Sequence, residues 1–177
     1  MIVFRHADRR FPFLAEATDQ PAARWHEAAD GPVQYLAGTP DGAWAEFLRH
    51  EGITDPADLP GVARALWAIE LPDLPAEVPA IPVEIVTGDP STYTACRVEA
   101  RRLRAHGAMG FVAPSAALEP GTASGFRTQA GLRPGDARDE RVVVLFGARP
   151  DLVGWSACDV GRPRPDLLAR VRPLRVL

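Results

Sequence analysis

Three residue types that can act on anionic, sugar-bearing ligands stand near the start of the chain: Arg24, Tyr35 and Glu46. A guanidinium group binds two phosphate oxygens at once through its planar fork. A phenol ring offers a stacking face for a flat heterocycle and a hydroxyl for hydrogen bonding. A carboxylate can bind ribose hydroxyls and stabilise the positive charge that grows on a sugar when its C–N bond breaks. Together these groups suit a nucleotide with a pyrophosphate and a ribose, and they require no metal.

The sequence pattern predicts which elements position these side chains. Residues 33–37 (VQYLA) have the β-branched and aromatic content of a strand. Thr39 then caps a predicted helix, whose apolar stripe leaves Glu46 on its flank. A strand, a short turn and a helix bring a mid-strand residue near the first turns of the helix, so we expect Tyr35 and Glu46 to lie close together. The long side chain of Arg24, just before the strand, can reach the same place.

The whole chain, residues 1–177, is predicted to form one α+β domain with a central, mostly antiparallel β core flanked by helices. Strand patterns outnumber helical ones and do not alternate regularly with them. A second helix is predicted from Asp89-Pro90 to Gly107, and the proline-rich segments are interpreted as ordered loops. The predicted strands are 2–5, 33–37, 64–71, 82–86, 109–114 and 141–146, the proline-rich segments are 56–90 and 150–173, and a long loop covers 119–139.

Composition and charge narrow the classes of partner. A chain of 177 residues can bury most of its apolar surface without disulfides or metals. The formal net charge of −3 gives no basic excess of the kind that nucleic-acid-binding domains carry. No run approaches the roughly 20 apolar residues of a membrane span, no signal peptide is evident, and the two cysteines stand far apart. We therefore expect a cytoplasmic protein with a small-molecule or protein partner and no metal site.

Several short motifs follow one another along the chain. They are Arg5 in IVFR, R-W (24–25), G-P-V-x-Y-L-A (31–37), T-P-x-x-A-x-x-E (39–46) and G-x-x-x-P-S (110–115), the last of which precedes the strand VVVLF (142–146). Their order and spacing resemble the RES domain, a family named for its Arg, Glu and Ser residues. Members of that family show G-G-R-W-N, then P-V-V-Y, then A-x-x-E, then P-S-A before an apolar strand. The resemblance extends from residue 2 to about 147, and the block 24–46 is its most specific part.

The resemblance implies a fold related to the ADP-ribosyltransferase toxins. It also implies an enzyme that consumes NAD by attack on the nicotinamide–ribose bond, with phosphate or water as the acceptor. Such an enzyme is an NAD phosphorylase or an NAD glycohydrolase. Many relatives are toxins of bacterial toxin–antitoxin pairs, in which a small helical antitoxin covers the NAD pocket, so NAD and such an antitoxin are the implied partners.

The same resemblance assigns roles to five residues of this sequence. Arg24 would hold the pyrophosphate, and Tyr35 would sit beside the nicotinamide and its ribose. Glu46 would be the carboxylate that stabilises the developing charge. Ser115 would supply a hydroxyl to the nucleotide, and Arg5 would add a second phosphate contact. No metal is implied.

Each of these residues also has a purely structural interpretation. Tyr35 could be a core aromatic residue, Ser115 could cap a short turn, and Arg5 could be a plain surface arginine. Arg24 and Glu46 could form ion pairs of little energetic value. The alternative partners are Glu27 or Asp19 for Arg24, and Arg49 or His50 for Glu46.

Other residues near the motifs are expected to be structural. His26 stands where the family has an asparagine after R-W, and we expect both His26 and His50 to be solvated residues at the rim of the site. Trp25, Trp44 and Trp67 are predicted to lie in the core.

Two other classes of function stay open from the sequence. One is a transferase that moves ADP-ribose to a protein target. The other is a non-catalytic protein that keeps the fold and binds a nucleotide or a protein partner. Self-association into a homo-oligomer also stays open.

Overall fold

The computed structural model describes residues 1–16 and 20–174 of the chain. Helices and strands follow each other without regular alternation, and short 3-10 turns connect several of them. In chain order they are β1 (Ile2–Ala7), β2 (Val33–Ala37), α1 (Pro40–His50), β3 (Arg64–Glu70), α2 (Val83–Thr87), α3 (Tyr93–Ala105), β4 (Gly110–Pro114), β5 (Phe126–Thr128), β6 (Leu132–Pro134), β7 (Arg141–Phe146) and β8 (Val153–Gly161).

Six strands form one sheet in which neighbouring strands are antiparallel. The order β4-β7-β2-β1-β3-β8 puts β2 in the interior of the sheet, between β7 and β1. The two remaining strands, β5 and β6, form a separate hairpin. The predicted fold class, an α+β domain with a mostly antiparallel core and flanking helices, is confirmed.

Helices α1 and α3 cover one face of this sheet. Successive side chains of a strand point to opposite faces. In β2, Val33 packs in a cluster with α3, and Ala37 packs in a cluster with α1, so both point to the helical face. Leu36 lies in a different cluster, with Leu14, on the opposite face. The same alternation puts Tyr35 on the helical face, where the side chains of α1 lie.

Helix α1 begins where the sequence predicts. The Thr39 hydroxyl oxygen accepts a hydrogen bond from the N–H of Gly42 at 2.9 Å, as an N-cap residue should. The buried carboxylate of Glu140 accepts a hydrogen bond from the N–H of Gly38 at 2.8 Å and another from the Thr39 hydroxyl. The first turn of the helix that carries Glu46 is therefore anchored to the start of β7. The predicted apolar stripe is buried and consists of Ala43, Trp44, Phe47 and Leu48.

One predicted strand is a helix. The β-branched segment 82–86 predicts a strand, but the structure forms α2 over Val83–Thr87, so this prediction is wrong. Pro82 directly precedes α2, and the fixed φ of proline suits the start of a helix. Val86 is the one buried residue of α2, and it packs with Cys96 of α3. A segment with few apolar contacts that pairs with no strand of the sheet satisfies its backbone groups best within a helical turn.

Two predicted loops contain strands. The segment 119–139 contains β5 and β6, and the segment 150–173 contains the nine residues of β8, so both loop predictions are wrong in part. The residues of β5 and β6 are exposed, and most of those of β8, the last strand of the sheet, are exposed too. Such strands lack the burial-driven alternation by which a sequence pattern reveals a strand. Within the described ranges, no helix is both long and apolar enough to cross a membrane.

Candidate active site

The Glu46 carboxylate and the Ser115 hydroxyl are joined by a hydrogen bond. Ser115 directly follows β4, is buried, and donates from Oγ to Glu46 Oε1 at 3.1 Å. The same hydroxyl oxygen accepts hydrogen bonds from the N–H groups of Ala117 at 3.0 Å and Leu118 at 3.4 Å. Ser115 therefore both caps a turn and contacts the predicted catalytic carboxylate. Its hydroxyl proton is directed at Glu46.

Opposing influences act on the ionisation of Glu46, which is half-buried on the flank of α1. Burial raises the pKa of its carboxyl, while the hydrogen bond from Ser115 and the positive charges of Arg49 and Arg24 lower it. The net shift of the pKa is upward from the ordinary value of 4.5. The carboxylate therefore ionises next to two guanidinium groups in a partly desolvated place, where charge interactions are stronger than in water.

Arg24 is almost fully buried and, among the residues that the structure describes, does not form the surface ion pair with Glu27 that the sequence left open. Its Nη2 donates to the backbone carbonyl oxygen of Gly88 at 2.8 Å. Its guanidinium carbon lies 4.6 Å from the centroid of the Tyr93 ring, in a cation–π contact. Glu27, one alternative partner, pairs instead with Arg97 at 2.5 Å. The other alternative, Asp19, lies outside the described residues.

A second buried arginine, Arg49, lies beside Arg24. It comes three residues after Glu46 on α1 and is 7% exposed. Its Nη1 donates to the backbone carbonyl oxygen of Ala116, and its Nη2 donates to that of Gly88 at 3.2 Å. Within residues 1–16 and 20–174, neither Arg24 nor Arg49 has a carboxylate oxygen within 4.0 Å. The two guanidinium groups thus share one neutral carbonyl oxygen.

Tyr35 packs in the cluster with α3, and the positive charge of Arg24 acts on its hydroxyl, which is engaged by two other neighbours. The hydroxyl oxygen accepts a hydrogen bond from the N–H of Trp25 at 3.1 Å and lies 2.9 Å from Nδ1 of His26. The hydroxyl donates to Nδ1 or accepts from it according to the tautomer of His26, and both groups are occupied by this contact in either case. His26 is fully buried, so the expectation of a solvated rim residue is wrong for it, whereas His50 is exposed as expected. Burial lowers the pKa of His26 and raises that of Tyr35.

The structure does not bring Arg5 to this group of residues. Phe4 pairs with Ala37, so the next residue, Arg5, points to the face of the sheet opposite to Tyr35. There its Nη1 donates to the side-chain oxygen of the buried Gln34 at 3.1 Å. Burial lowers the pKa of Arg5 to about 10. Arg5 is therefore neither a plain surface arginine nor a neighbour of Glu46.

A cavity of about 610 Å³ borders the site on one side. Ser115 and Thr87 contribute to its lining, together with β4 and the segment 74–78, whereas Arg24, Tyr35 and Glu46 do not. The volume lies in the range of small-molecule sites. No cluster of three or more metal-ligating side chains occurs within the described part of the chain.

Similarity to a known protein family covers the residues of this site. The family model of the RES domain matches residues 2–157. The chain belongs to the RES domain family. No curated protein matches it. Among solved structures, this RES domain is similar to a chain in the crystal structure of the M. tuberculosis MbcT–MbcA toxin–antitoxin complex, with a TM-score of 0.61 and 15% identity over 95% of this chain and 86% of that one.

In this RES domain the arginine, glutamate and serine of the matching motifs lie on different elements that converge. Arg24 precedes β2, Glu46 is on α1 and Ser115 follows β4. The sequence did not predict Arg49 as a member of the site, although its position three residues after Glu46 on a helix puts the two side chains on neighbouring positions. The carbonyl group of Gly88 could not be predicted at all, because a backbone oxygen has no sequence signature.

Proposed function

We propose that this RES domain cleaves NAD at the nicotinamide–ribose bond, with phosphate or water as the acceptor. The observation that carries the proposal is a carboxylate, Glu46, held by Ser115 next to the buried guanidinium groups of Arg24 and Arg49. Positive charge suits the pyrophosphate of NAD, and the carboxylate suits the ribose carbon that becomes positive as nicotinamide leaves. Membership of the RES family, with its Arg, Glu and Ser residues on converging elements, supports the same chemistry.

The proposed reaction breaks one bond and forms one. Both electrons of the C–N bond leave with the nicotinamide, and the ribose carbon becomes an oxocarbenium-like centre. Glu46, as a carboxylate, stabilises that positive charge. An oxygen of phosphate or water then bonds to the same carbon, and a water molecule that attacks releases its proton to solvent. Ser115 keeps the carboxylate in position, and the ring of Tyr35 offers a stacking face for the nicotinamide.

Nicotinamide release from NAD tests this proposal. The purified protein, incubated with NAD, is expected to release nicotinamide, and comparison of the sugar products with and without phosphate identifies the acceptor. Glu46→Gln keeps the shape of the side chain but removes its charge, and we expect it to lower the rate at least about 100-fold. Glu51→Gln, one residue beyond the same helix and exposed, is the matched control. No nicotinamide release by the wild type, or equal release by Glu46→Gln, would contradict the proposal.

We further propose that the protein is the toxin of a toxin–antitoxin pair. The support is its fold, which is similar to that of a chain in the MbcT–MbcA toxin–antitoxin complex. Expression of the wild type in a bacterial host is expected to lower NAD and arrest growth, and Glu46→Gln is expected to do neither. Normal growth with undiminished NAD, at a level of wild-type protein matched to the variant, would count against a toxin. An antitoxin partner would be revealed by a small co-purifying protein that restores growth.

A non-catalytic nucleotide-binding protein is the second candidate function. The Tyr35 hydroxyl accepts a hydrogen bond from the N–H of Trp25 and is hydrogen-bonded to buried His26, so both of these contacts would compete with a ligand for it. Calorimetry separates this candidate from the enzyme, because it predicts heat of NAD binding without nicotinamide release. NAD turnover by the wild type rules it out.

A further inference from the structure

The two buried arginines of the site bring two positive charges close together. Nη2 of Arg24 and Nη2 of Arg49 lie 2.8 Å and 3.2 Å from one oxygen, the carbonyl oxygen of Gly88. Arg24 and Arg49 are 9% and 7% exposed, so water screens the two like charges poorly. Burial and the positive charge of Arg24 both lower the pKa of Arg49.

Buried charges are normally paired, and these two are not paired directly. Within the described residues, the hydrogen-bond acceptors of Arg24 and Arg49 are backbone carbonyl oxygens and the Thr92 hydroxyl, all of them neutral. Glu46 acts on both guanidinium groups from beyond salt-bridge distance and carries one negative charge at most. The site therefore keeps an excess of positive charge, which a ligand with two adjacent negative charges would neutralise.

We propose that Arg49 is a second phosphate-binding residue of this site, so that Arg24 and Arg49 together bind one diphosphate group. Each guanidinium takes one phosphate, and the phosphate oxygens replace or share the contacts now made to the Gly88 carbonyl. This inference rests on the proposed function, in which the ligand is a dinucleotide with a diphosphate. It gives Arg49 the role that the sequence assigned to Arg5.

The contacts of Arg49 fix it in place for such a role. Its second contact, to the carbonyl of Ala116, ties the guanidinium to the residue that follows Ser115. The Gly88 carbonyl is also held in position, because a Cβ atom at residue 88 would lie 2.5 Å from Cγ2 of Thr92 and 2.8 Å from the carbonyl oxygen of Glu84. A guanidinium group that is already oriented loses little conformational entropy when a ligand binds to it.

Calorimetry with ADP and with adenosine tests this inference. The two ligands differ by the diphosphate group, so the difference between their affinities reports the contacts made to that group. We expect Arg49→Met to weaken ADP binding about 10- to 100-fold, the usual effect of losing charge-assisted hydrogen bonds, and to change adenosine binding less than about twofold. Arg49→Lys, which keeps the charge but loses the fork, should give an intermediate loss. Arg9→Met removes an exposed arginine and serves as the control, which should bind both ligands as the wild type does.

The outcomes distinguish this inference from the proposed function. If the wild type cleaves NAD and Arg49→Met binds ADP as tightly as the wild type does, the inference fails and the proposed function stands. If Arg49→Met weakens ADP and adenosine equally, Arg49 only supports the fold of the site, and the inference fails again. If Arg49→Met does not fold, Arg49→Lys decides, because undiminished ADP binding by a folded lysine variant contradicts a guanidinium fork at residue 49 that binds one phosphate of the diphosphate. A wild type that neither binds ADP nor cleaves NAD overturns both.

Discussion

At the scale of single residues, the ionisation of Glu46 controls what the site can do. The proposed chemistry needs the carboxylate, so activity is lost as the pH falls through the pKa of Glu46, which burial holds above 4.5. The Ser115 hydroxyl opposes that upward shift by donating to the carboxylate. Ser115 thus both orients the carboxylate and favours its charged form.

Ser115→Ala is therefore expected to move the acidic limb of the pH–rate profile to higher pH. The hydroxyl that stabilises the charged form is removed, so the pKa of Glu46 rises and the active carboxylate is lost sooner on acidification. The measurement is kcat for nicotinamide release across the acidic range, with Ser156→Ala, an exposed serine of β8, as the control. A uniform fall in rate at every pH would mean that Ser115 has only a structural role.

Tyr35 gives a second prediction at this scale. Tyr35→Phe keeps the ring but leaves the Trp25 N–H and the His26 Nδ1 without their partner. We expect a loss of about 1–3 kcal/mol in the free energy of unfolding, the usual cost of unsatisfied buried polar groups. Because the hydroxyl is already engaged by Trp25 and His26, we expect kcat/KM of the folded variant to change less than about fivefold, as for the loss of one neutral hydrogen bond. Urea unfolding and steady-state assays check the two parts, and a stable but inactive variant would show that the hydroxyl acts on the substrate.

Residue types and their order predicted Arg24, Tyr35, Glu46 and Ser115 as site residues, and hydrogen bonds or charge interactions connect Arg24 with Tyr35 and Glu46 with Ser115 in the structure. The sequence could not tell which face of β1 carries Arg5. A shift of one residue in the pairing of β1 with β2 would exchange the two faces. Arg49 belongs to the group of residues although the sequence did not predict it. An arginine in the last turn of an amphipathic helix is ordinarily solvated, and the burial of Arg49 depends on its contacts with Ala116 and Gly88, which are distant in sequence.

At the scale of elements, the start of α1 decides whether Glu46 is held in place. Gly38 and Gly42 leave room for the Glu140 carboxyl, since a Cβ atom at residue 42 would lie 2.5 Å from Cδ of Glu140. The carboxylate in turn binds the N–H of Gly38 and the hydroxyl of Thr39. The glycines, the cap and the buried carboxylate thus form one anchor for the helix.

Gly42→Ala tests this anchor. In an unconstrained helix, alanine is more favourable than glycine by about 1 kcal/mol. Here we expect the reverse, a destabilisation of about 1–3 kcal/mol, because the added methyl group overlaps with Glu140 and must displace it. Urea unfolding measures the difference, and Gly61→Ala, at a glycine with nothing within 4 Å of its Cβ position, is the control. A stabilised Gly42→Ala variant would show that Glu140 can move aside freely.

The elements that the sequence predicted correctly carry a clear pattern or composition. The helix from Pro40 has a regular apolar stripe because the core buries one side of it, whereas the strand 33–37 is buried on both faces and is predicted from its β-branched and aromatic content. Segment 82–86 has β-branched residues but pairs with no strand of the sheet, so tertiary contacts override its propensity. β8 packs against β3 along one edge and leaves most of its side chains exposed, so its sequence carries little of the expected alternation.

At the scale of the whole molecule, the site joins four segments that are far apart in sequence. Arg24 precedes β2, Glu46 and Arg49 lie on α1, Gly88 lies between α2 and α3, and Ser115 follows β4. Hydrogen bonds connect the four segments, because Arg24 and Arg49 both donate to Gly88 and Ser115 donates to Glu46. A ligand that contacts both arginines would therefore connect these segments, and its binding energy would add to the stability of the folded state.

Hydrogen exchange with ADP-ribose present and absent tests this last point. At about 100 times its Kd, the ligand should stabilise the folded state by about 2.7 kcal/mol. We expect slower exchange in residues 23–26, 88–92 and 115–118, because these segments carry or contact the proposed ligand-binding groups. The β5–β6 hairpin should exchange at an unchanged rate, since it is separate from the main sheet and exposed. Arg24→Met should lose the protection while Glu46→Gln keeps it, because the diphosphate contacts differ from the catalytic one. Protection confined to the hairpin would place the ligand elsewhere on the molecule.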